Sequence, residues 1–354
     1  MINDWMDVVV RPSQSIRESW RILNDGALRF VMVTDDSYKL LGVVTDGDIR
    51  RGLLSGMELG DSISAVMNKS PITIPRSMEK QALIDLMEER KVLALPQVDN
   101  GVLVGLAVLQ DLLQVPVIDN PVFIMAGGFG TRLRPLTDSC PKPMLKIGGT
   151  PMLEILIKSF KAKGFRNFYI STHYLPEVIT EYFGDGSDFG VCITYVHEKS
   201  PLGTGGALGL LPSNIPKLPL IVINGDILTN LDYKLLLDEH SLSAASATMC
   251  VRAHEVNIPF GVIEADDNKI TAMVEKPTYR YFVNTGIYVI SPEVLAFVKK
   301  DVRLDMPTLL QSQIDNGKLV KTKLMHDYWL DIGRMDDFNK AQVDILTLGL
   351  KGVL

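Results

Sequence analysis

The feature that most constrains this fold is segment 121–145, PVFIMAGGFGTRLRPLTDSCPKPML, in which an apolar run ends abruptly in glycines. Val122–Met125 has the composition of a buried strand, and the glycine-rich residues Ala126–Arg132 follow at once. A strand that runs into such a turn brings bare backbone N–H groups up to a phosphate, because no Cβ holds the ligand away. Arg132 adds a planar fork of donors and Lys142 adds a mobile charge. The segment therefore predicts a triphosphate site.

Composition limits the classes of protein that remain. A chain of 354 residues predicts two or three domains, and 46% apolar with 22% charged residues is ordinary for a soluble globular protein. The net charge of −6 provides no basic excess for a nucleic-acid partner. Three widely spaced cysteines favour a reducing compartment, and we find no signal peptide and no apolar run long enough to span a membrane. We expect a cytoplasmic protein that binds neither nucleic acid nor membrane.

The first part of the chain contains an internal repeat, in which residues 33–42 align with residues 96–105. The pattern in each copy predicts a short strand, a helix, two strands joined by a hairpin turn, and a closing helix. The first helix is expected at 16–24 in the first copy and at 78–89 in the second. A unit this small buries too little surface by itself. Two copies packed face to face are therefore expected.

The joint Gln114–Pro121 contains two prolines and starts a new core. We predict repeats at 1–60 and 61–118 and a third domain at 119–354. In that domain strands alternate with helices, which predicts a doubly wound, mostly parallel sheet with ligands at the carboxyl edge of its strands. The predicted strands are 122–125, 167–171, 192–197 and 220–224. The predicted helices are 152–163, 176–183 and 232–241, with a helical turn at 207–211. Later strands (247–253, 261–264, 271–274 and 284–290) predict an antiparallel addition beside this fold, and helices 292–300 and 335–350 close the chain.

The repeat resembles a tandem pair of CBS domains, an α+β arrangement called a Bateman module. The first copy carries the closing G-h-h-T-x-x-D pattern as Gly42, Thr45 and Asp48, whereas the second keeps Asp111 but has Val108 in place of the threonine. The resemblance implies a regulatory adenine or guanine nucleotide held by Thr45, Asp48 and Asp111, with the second site put in doubt by Val108. A helix cap explains Thr45 and Asp48 equally well.

The glycine-rich segment is similar to the signature of sugar-1-phosphate nucleotidyltransferases, AGGxGTRLxPLT followed by PKPM, and residues 126–137 and 141–144 meet every position. The resemblance implies a Rossmann-like mixed sheet and a nucleotidyltransferase (EC 2.7.7.-). Such an enzyme condenses a nucleoside triphosphate with a sugar-1-phosphate to give a nucleotide-diphospho-sugar and pyrophosphate. A dinucleotide site fits poorly, because the acidic residue expected about twenty positions on falls in 145–149.

The same resemblance assigns roles to the phosphate-binding residues. Arg132 would stabilise the leaving pyrophosphate, Lys142 the phosphates being joined, and Lys276 the sugar-1-phosphate. Glu275 and Asn284 would hold the sugar. The nucleotide phosphates would lie on the loop formed by Ala126, Gly127, Gly128, Gly130 and Thr131.

Two aspartates follow apolar strands and are candidate metal ligands. Asp226 follows residues 220–225 and Asp331 follows residues 328–330. Carboxylates at the ligand edge of a sheet suit Mg²⁺, which takes one or two carboxylates plus phosphate oxygens. Either aspartate alone is equally well a turn residue. Their N-G-D and W-x-D-I-G contexts are similar to the metal-binding positions of the family, which implies a Mg²⁺ cofactor.

A second glycine-rich loop, with Gly203, Thr204 and Gly205, resembles the segment that meets the base and ribose in this family. Glu198 precedes it where many thymidylyl- and uridylyltransferases carry glutamine. A carboxylate only accepts hydrogen bonds and can accept from guanine N1–H and N2–H₂, which favours GTP.

The domain order, a CBS pair before a guanylyltransferase-like domain, resembles enzymes that make GDP-glucosamine in legionaminic acid biosynthesis. Glucosamine-1-phosphate is therefore the favoured sugar substrate. Mannose-1-phosphate guanylyltransferase, glucose-1-phosphate thymidylyl- or uridylyltransferase, and a nucleotide-sensing binding protein with a degenerate transferase fold remain alternatives. CBS modules often associate in pairs, so we expect a homo-oligomer.

Overall fold

The computed structural model describes residues 5–25, 30–113 and 115–347. The chain divides after Gln114 into two compact units. Among the helices of the described residues, none combines the length and the apolar character needed to cross a bilayer.

The first unit contains the two expected copies. Its elements in chain order are β1 (Val9–Val10), α1 (Ile16–Asp25), β2 (Phe30–Thr34), β3 (Leu40–Thr45), α2 (Asp46–Leu54), α3 (Lys80–Arg90), β4 (Ala94–Asp99), β5 (Val102–Val108) and α4 (Leu109–Leu113). Strand β2 pairs in parallel with β1 and antiparallel with β3, and β4 pairs antiparallel with β5. In the second copy the place of β1 is taken by a single parallel bridge between Ile74 and Gln97.

The two copies join through isolated backbone bridges and through a shared hydrophobic cluster. Isolated antiparallel bridges link Val43 to Asn68 and Lys39 to Val102. The hairpin turn of the first copy is closed by the Asp35 carboxylate, which accepts from the backbone N–H groups of two following residues at 2.9 Å each. This is the short polar turn that the sequence predicts.

The second unit contains the remaining elements, and its central sheet has seven strands. The elements are β6 (Val122–Met125), β7 (Lys146–Ile147), β8 (Thr150–Pro151), α5 (Met152–Ala162), β9 (Asn167–Thr172), α6 (Pro176–Phe183), β10 (Cys192–His197), α7 (Gly203–Gly206), β11 (Leu220–Asn224), β12 (Ile227–Thr229), α8 (Tyr233–Leu242), β13 (Ala247–Asn257), β14 (Val262–Asp266), β15 (Lys269–Val274), β16 (Thr278–Ile290), α9 (Met306–Asp315), β17 (Val320–Leu324), β18 (Trp329–Asp331) and α10 (Met335–Thr347).

The strand order of this sheet is β10-β9-β6-β11-β16-β13-β17. Strand β16 is antiparallel to both of its neighbours, and every other pairing between the described strands of this sheet is parallel. Side chains alternate between two cores, as strand geometry requires: Ile221 and Ile223 pack on one face and Val222 on the other. Because helices cover both faces, the expectation of a doubly wound, Rossmann-like mixed sheet is confirmed.

Expectations for the later part of the chain are met in part. The four later strands form and pair antiparallel as predicted, but β13 and β16 continue the central sheet, and only the β14–β15 hairpin forms a sheet of its own. Residues 292–300 form only a short 3-10 helix, Pro292–Phe297, which ends where the β-branched Val298 takes an extended conformation. Helix α9 was not predicted, and its start depends on a distant loop. Of the predicted helix 335–350, residues 348–350 lie outside the described part of the chain.

Strands β13 and β16 extend beyond the ends of their neighbours in the central sheet. Strand β17 pairs with β13 up to Val251, and β11 pairs with β16 from Ile287 onward. Beyond these positions β13 and β16 pair only with each other, down to the pair of Asn257 with Thr278. We call residues 252–283, which include the β14–β15 hairpin between the two strands, the arm.

Candidate functional site

A cavity of about 280 Å³ lies at the carboxyl ends of β6, β9 and β11. Both glycine-rich loops border it. Its lining residues are Met125, Ala126, Gly127, Gly128, Phe129, Lys142, Pro143, Ser171, Glu198, Pro201, Gly203, Thr204, Asn224 and Asp226.

Glycine is required at positions 130 and 128 of the first loop for different reasons. Gly130 has φ of +63°, and a Cβ there would lie 2.9 Å from Lys142 Cβ and 3.0 Å from Thr137 Cγ2. Its carbonyl accepts from Thr137 Oγ1 at 2.9 Å. Gly128 is exposed, and a Cβ there would meet no atom within 4 Å. Packing therefore explains Gly130, whereas at Gly128 the absent side chain leaves open space in the cavity.

The other predicted residues of this loop differ in what they offer a ligand. The Ala126 N–H already donates to the Ser171 carbonyl at 3.2 Å. A Cβ at Gly127 would lie 2.8 Å from Glu198 Oε1, so only glycine at this position leaves room for the buried Glu198 carboxylate. Thr131 and Arg132 are exposed on a short 3-10 helix.

Lys142 and Asp226 are brought together from distant parts of the sequence. Lys142 is buried, and its ammonium donates to Asp226 Oδ2. The other oxygen of that carboxylate, Oδ1, is buried and has no hydrogen-bond partner among the described residues. A buried acceptor without a partner is costly unless a ligand satisfies it.

Asp331 lies beside Asp226 because β12 and β18 form a short antiparallel ladder. The N–H of Ile332 donates to the Asp226 carbonyl at 3.1 Å. Burial, and then the charge of Asp226, raise the pKa of Asp331, while Lys142 and Arg132 act in the opposite direction. The structure thus gathers both predicted metal ligands and two of the predicted cations in one electrostatic cluster.

This cluster fits a divalent cation whose remaining ligands are phosphate and water. Two carboxylates, one with an unpartnered buried oxygen, are what Mg²⁺ uses in such sites. No group of three or more His, Cys, Asp or Glu side chains suited to a metal occurs among the described residues. A cage made entirely by this part of the protein is therefore absent, and the phosphates of a substrate would have to complete the coordination.

Glu198 is 5% exposed and has no salt-bridge partner among the described residues. Its Oε2 accepts from the Leu202 N–H at 3.0 Å, and its carbonyl is 2.8 Å from His173 Nδ1. These contacts fix the carboxylate in the wall of the cavity. A buried carboxylate without a cation calls for strong donors from a ligand.

The second glycine-rich loop is shaped mainly by packing against the residues before α9. Gly205 and Gly206 donate their N–H groups to the Leu304 carbonyl at 2.8 and 2.9 Å. Gly203 has φ of +77°, and a Cβ there would lie 2.8 Å from the same carbonyl. Gly203 and Thr204 line the cavity, but the Gly205 N–H is already used. No local pattern indicates this packing, because the partner segment is about 100 residues away in the chain.

A second cavity, of about 340 Å³, adjoins the first, because Thr204 and Asn224 line both. Asn284, the predicted sugar ligand, lines it, with its amide donating to Tyr288 Oη at 2.6 Å. The lining residues are Thr204, Asn224, Asn284, Thr285, Gly286, Tyr288, Asp305, Pro307 and Asp331. They include two carboxylates and neither lysine nor arginine.

Glu275 and Lys276 lie elsewhere, on the arm between β15 and β16. Both are exposed, and neither lines either cavity. Lys276 takes a left-handed backbone conformation with φ of +45°. The structure therefore does not bring these two predicted sugar-phosphate ligands to the residues gathered around Asp226.

Sequence reasoning missed several residues that border the cavities, among them Asn224, Phe129 and Asp305. Asn224 stands between the two cavities at the end of β11, and its place before Gly225 and Asp226 was the available signal. Phe129, 46% exposed, lines the first cavity and makes an edge contact with His173. Asp305 borders the second cavity, and nothing in its local sequence indicated this.

In the first unit, the structure shows Thr45 and Asp48 as a capping box at the start of α2. Thr45 Oγ1 accepts from the Asp48 N–H at 3.3 Å, and Asp48 Oδ2 accepts from the Thr45 N–H at 2.8 Å. Asp48 also pairs with Arg51. Asp111 lies on α4. The capping role is thus observed, and a nucleotide role for the three residues stays a prediction.

Two known protein families match separate parts of the chain. The sequence model described as Nucleotidyl transferase matches residues 122–347, and the one described as CBS domain matches residues 2–55 and 63–118. The mannose-1-phosphate guanylyltransferase of Mycobacterium tuberculosis is 34% identical over 231 residues, which are 63% of this chain and 64% of that protein. A UTP--glucose-1-phosphate uridylyltransferase of Synechocystis is 32% identical over 249 residues, 65% of this chain and 64% of that protein. The chain thus spans slightly less than two thirds of these relatives.

Solved structures also resemble the chain. A structure described as a putative glucose-1-phosphate thymidylyltransferase from Bacillus anthracis in complex with a sucrose is 26% identical, with a TM-score of 0.52, over 63% of this chain and 94% of that one. HddC from Yersinia pseudotuberculosis, complexed with GMP-PN, is 27% identical, with a TM-score of 0.51, over 64% of this chain and 99% of that one.

Proposed function

The chain belongs to the nucleotidyl transferase family, and on this basis we propose that it condenses a nucleoside triphosphate with a sugar-1-phosphate. An oxygen of the sugar-1-phosphate attacks the α-phosphorus, the bond from that phosphorus to the bridging oxygen breaks, and pyrophosphate leaves with the electron pair. The product is a nucleotide-diphospho-sugar. Catalysis of this kind rests on positioning and charge stabilisation, because no proton has to be removed from the attacking phosphate.

The residues around Asp226 have separate roles in this proposed reaction. Open space at Gly128 lets phosphates approach the loop backbone. Lys142 and Arg132 offset the charge that builds up between two polyanions, and Asp226 with Asp331 would hold Mg²⁺. When bound, that ion would neutralise phosphate charge and align the reacting groups. The observation that carries the proposal is the cluster of Lys142, Asp226, Asp331 and Arg132 beside the glycine loop.

We assign GTP as the nucleotide on the basis of Glu198. A carboxylate held in the cavity wall accepts two hydrogen bonds from guanine, at N1–H and N2–H₂. Uracil and thymine offer a single donor flanked by two carbonyl acceptors, which a carboxylate repels. The guanylyltransferase relative and the GMP-PN complex of HddC support the same choice.

Glucosamine-1-phosphate is the sugar substrate that we propose. Its ammonium group would meet the second cavity, where Asp305 contributes a carboxylate besides the proposed metal ligand Asp331 and the lining has no basic residue. Mannose-1-phosphate and glucose-1-phosphate, which the names of the relatives suggest, are the alternatives.

A substrate panel tests the proposal. Pyrophosphate release is measured for GTP, ATP, UTP and TTP, each with glucosamine-, mannose- or glucose-1-phosphate, in the presence of Mg²⁺. We expect the highest kcat/KM for GTP with glucosamine-1-phosphate. Release with another pair would correct the substrates, and GTP binding without release from any pair would instead support a nucleotide-sensing protein.

For the first unit we propose a regulatory nucleotide site at Thr45, Asp48 and Asp111. The matched CBS family supports it, and so does the exposure of Thr45 at the start of α2. Calorimetry of the full chain with AMP, ADP, ATP and GDP should show a binding event that Asp48→Ala removes and Asp226→Asn leaves intact. Identical binding isotherms for the wild type and Asp48→Ala would refute this site.

A further inference from the structure

Phe129 is an exposed aromatic side chain in the first glycine-rich loop. It is 46% exposed and lines the first cavity. Its two chain neighbours are Gly128 and Gly130, which have no side chains to cover it. A single exposed phenyl ring is ordinary on an open surface, whereas this ring forms part of a cavity wall. What occupies the cavity therefore decides what the ring contacts.

Two aromatic side chains that follow β9 fix the position of this ring. His173 lies nearly perpendicular to Phe129, with ring centroids 5.3 Å apart, and Tyr174 is tilted against it at 5.7 Å. Tyr174 Oη in turn donates to the carbonyls of Thr137 and Asp138 at 3.1 and 3.0 Å. Perpendicular and tilted contacts at these distances are favourable for aromatic pairs. The ring is thus held in place before a ligand binds, which reduces the cost of ordering it.

The contact with His173 places the ring on the same side of the cavity as Glu198. His173 Nδ1 is 2.8 Å from the Glu198 carbonyl. A Cβ at Gly127 would lie 2.8 Å from Glu198 Oε1 and 3.3 Å from His173 Cβ, so the two side chains approach each other at that glycine. The exposed ring and the buried carboxylate therefore belong to one wall of the cavity.

A nucleobase is the part of the proposed substrates that fits this wall. The face of a phenyl ring is the negative side of its quadrupole, so it repels a phosphate group, and it offers a sugar hydroxyl no hydrogen-bond partner. A base has a flat face that stacks on an aromatic ring and a polar edge that meets hydrogen-bonding groups. Phe129 and Glu198 would therefore contact different parts of one base.

We propose that Phe129 is a base-binding residue that stacks on the guanine of the bound nucleotide. This inference rests on the proposed function, which places GTP in the first cavity. His173 and Tyr174 act through the ring as positioning residues. A purine has a larger face than a pyrimidine, so the ring adds to the preference for GTP that we assign to Glu198. It does so without using the donors of the base.

Calorimetry of the full chain with GDP and Mg²⁺ tests the stacking without requiring turnover. Phe129→Leu keeps an apolar side chain but has no aromatic face, so the Kd for GDP should rise roughly tenfold. Phe129→Tyr retains the aromatic face and should bind GDP within about twofold of the wild type. Phe297→Leu is the matched control, since Phe297 is 45% exposed and lines neither cavity, and it should keep the wild-type Kd.

Tripolyphosphate separates stacking from a distortion of the loop, because this probe carries phosphates and no base. Its Kd should be the same for the wild type and Phe129→Leu. If GDP and tripolyphosphate were weakened equally, Phe129 would only shape the phosphate loop, and the proposal would be overturned. An unchanged Kd for GDP in Phe129→Leu, or a wild type that binds no GDP, would overturn it as well.

A tryptophan at the same position reports the contact directly. Phe129→Trp should lose indole fluorescence when GDP binds and keep it when tripolyphosphate binds, because only GDP stacks on the ring. The wild type, with its own three tryptophans, is the reference for both titrations. A response to GDP equal to that of the wild type would contradict stacking at this position.

Pyrophosphate release distinguishes this proposal from the proposed function. Because stacking on the base is the same in the ground state and the transition state, Phe129→Leu should raise the KM for GTP and leave kcat unchanged. If GDP binding depends on Phe129 as expected but no substrate pair releases pyrophosphate, the proposed reaction fails and the stacking stands. If the wild type is active and Phe129→Leu keeps the wild-type Kd, the stacking fails and the reaction stands.

Discussion

Asp226 and Asp331 are held beside each other by the ladder between β12 and β18, in which Asp331 pairs with Ile227, the residue after Asp226. Two carboxylates this close repel each other, and Lys142 neutralises only one of them directly. The repulsion between Asp226 and Asp331 lowers folding stability, and a cation bound between the two carboxylates would relieve it. Such a cost is typical of residues retained for function.

Asp331→Asn should therefore separate activity from stability. Removing one of the two charges relieves the repulsion, so in EDTA the free energy of unfolding should equal or exceed that of the wild type. Pyrophosphate release should fall by about 100-fold or more, because the cation loses a ligand. Mg²⁺ should raise the Tm of the wild type and not that of the variant.

A surface aspartate provides the control for this change. Asp238 on α8 pairs only with Lys234, at 2.6 Å, among the described residues, and Asp238→Asn should leave both activity and the response to Mg²⁺ intact. A wild-type level of activity in Asp331→Asn would exclude Asp331 as a metal ligand.

The two central glycines of the first loop should respond differently to a methyl group. Gly128→Ala meets no atom within 4 Å, so its Tm should match that of the wild type, while the KM for the nucleotide rises about tenfold as the methyl group occupies phosphate space. Gly130→Ala combines positive φ with a close contact to Lys142 and should lose about 1–3 kcal/mol of stability. Thermal melts and initial rates check both. If Gly128→Ala kept the wild-type KM, phosphates would not approach this loop.

Glu198→Gln should change the choice of base. The amide replaces one acceptor with a donor, so guanine loses a charge-assisted hydrogen bond and a pyrimidine carbonyl gains a partner. The ratio of kcat/KM for GTP to that for UTP should fall about 10- to 100-fold. Lys199→Gln, an exposed neighbour outside the first cavity, is the control and should keep the ratio. An unchanged ratio in Glu198→Gln would mean that another residue reads the base.

His240 should make stability depend on pH. The side chain is buried, with Nδ1 2.9 Å from Thr248 Oγ1 and Nε2 3.1 Å from Ser291 Oγ, and burial lowers its pKa below the ordinary 6.5. The stabilising contribution of the neutral ring is complete above pH 6.5 and is lost as the pH falls toward the folded-state pKa, by up to about 1.4 kcal/mol per pH unit. Urea unfolding between pH 7.5 and 5.5 should show a decline that His240→Gln reduces. His254→Gln, at an exposed position, should retain the full decline.

Much of the core could be predicted from sequence because its signals are local. The apolar run of β6, the glycines after it and the alternation of strands with helices each follow from residues that are neighbours in the chain. The same holds for Thr45 and Asp48, where the capping pattern is observed. The pairing of Asp226 with Asp331 depended on the family resemblance, because strand order is not visible in either segment.

The features that could not be predicted depend on contacts between distant segments. The start of α9 is stabilised by Thr204, whose Oγ1 accepts from the Met306 N–H at 2.9 Å, and no pattern near Met306 indicates this partner. The glycines at 203 and 205 suggested contact with a base, whereas their observed contacts are with Leu304. Similarly, the length of β13 and β16 beyond the sheet follows from where β17 and β11 end.

Thr204 has a consequence for how the two substrates bind. It lines both cavities, and through Met306 and the Asp305 carboxylate, which accepts its N–H at 3.2 Å, it ties the nucleotide loop to the start of α9. Under the proposed function, a nucleotide that shifts this loop would also reshape the wall of the second cavity, where the sugar-1-phosphate would bind. Occupancy of one cavity then changes the affinity of the other, by the same factor in both directions. Under the proposed function, the two substrates would therefore be thermodynamically linked through Thr204.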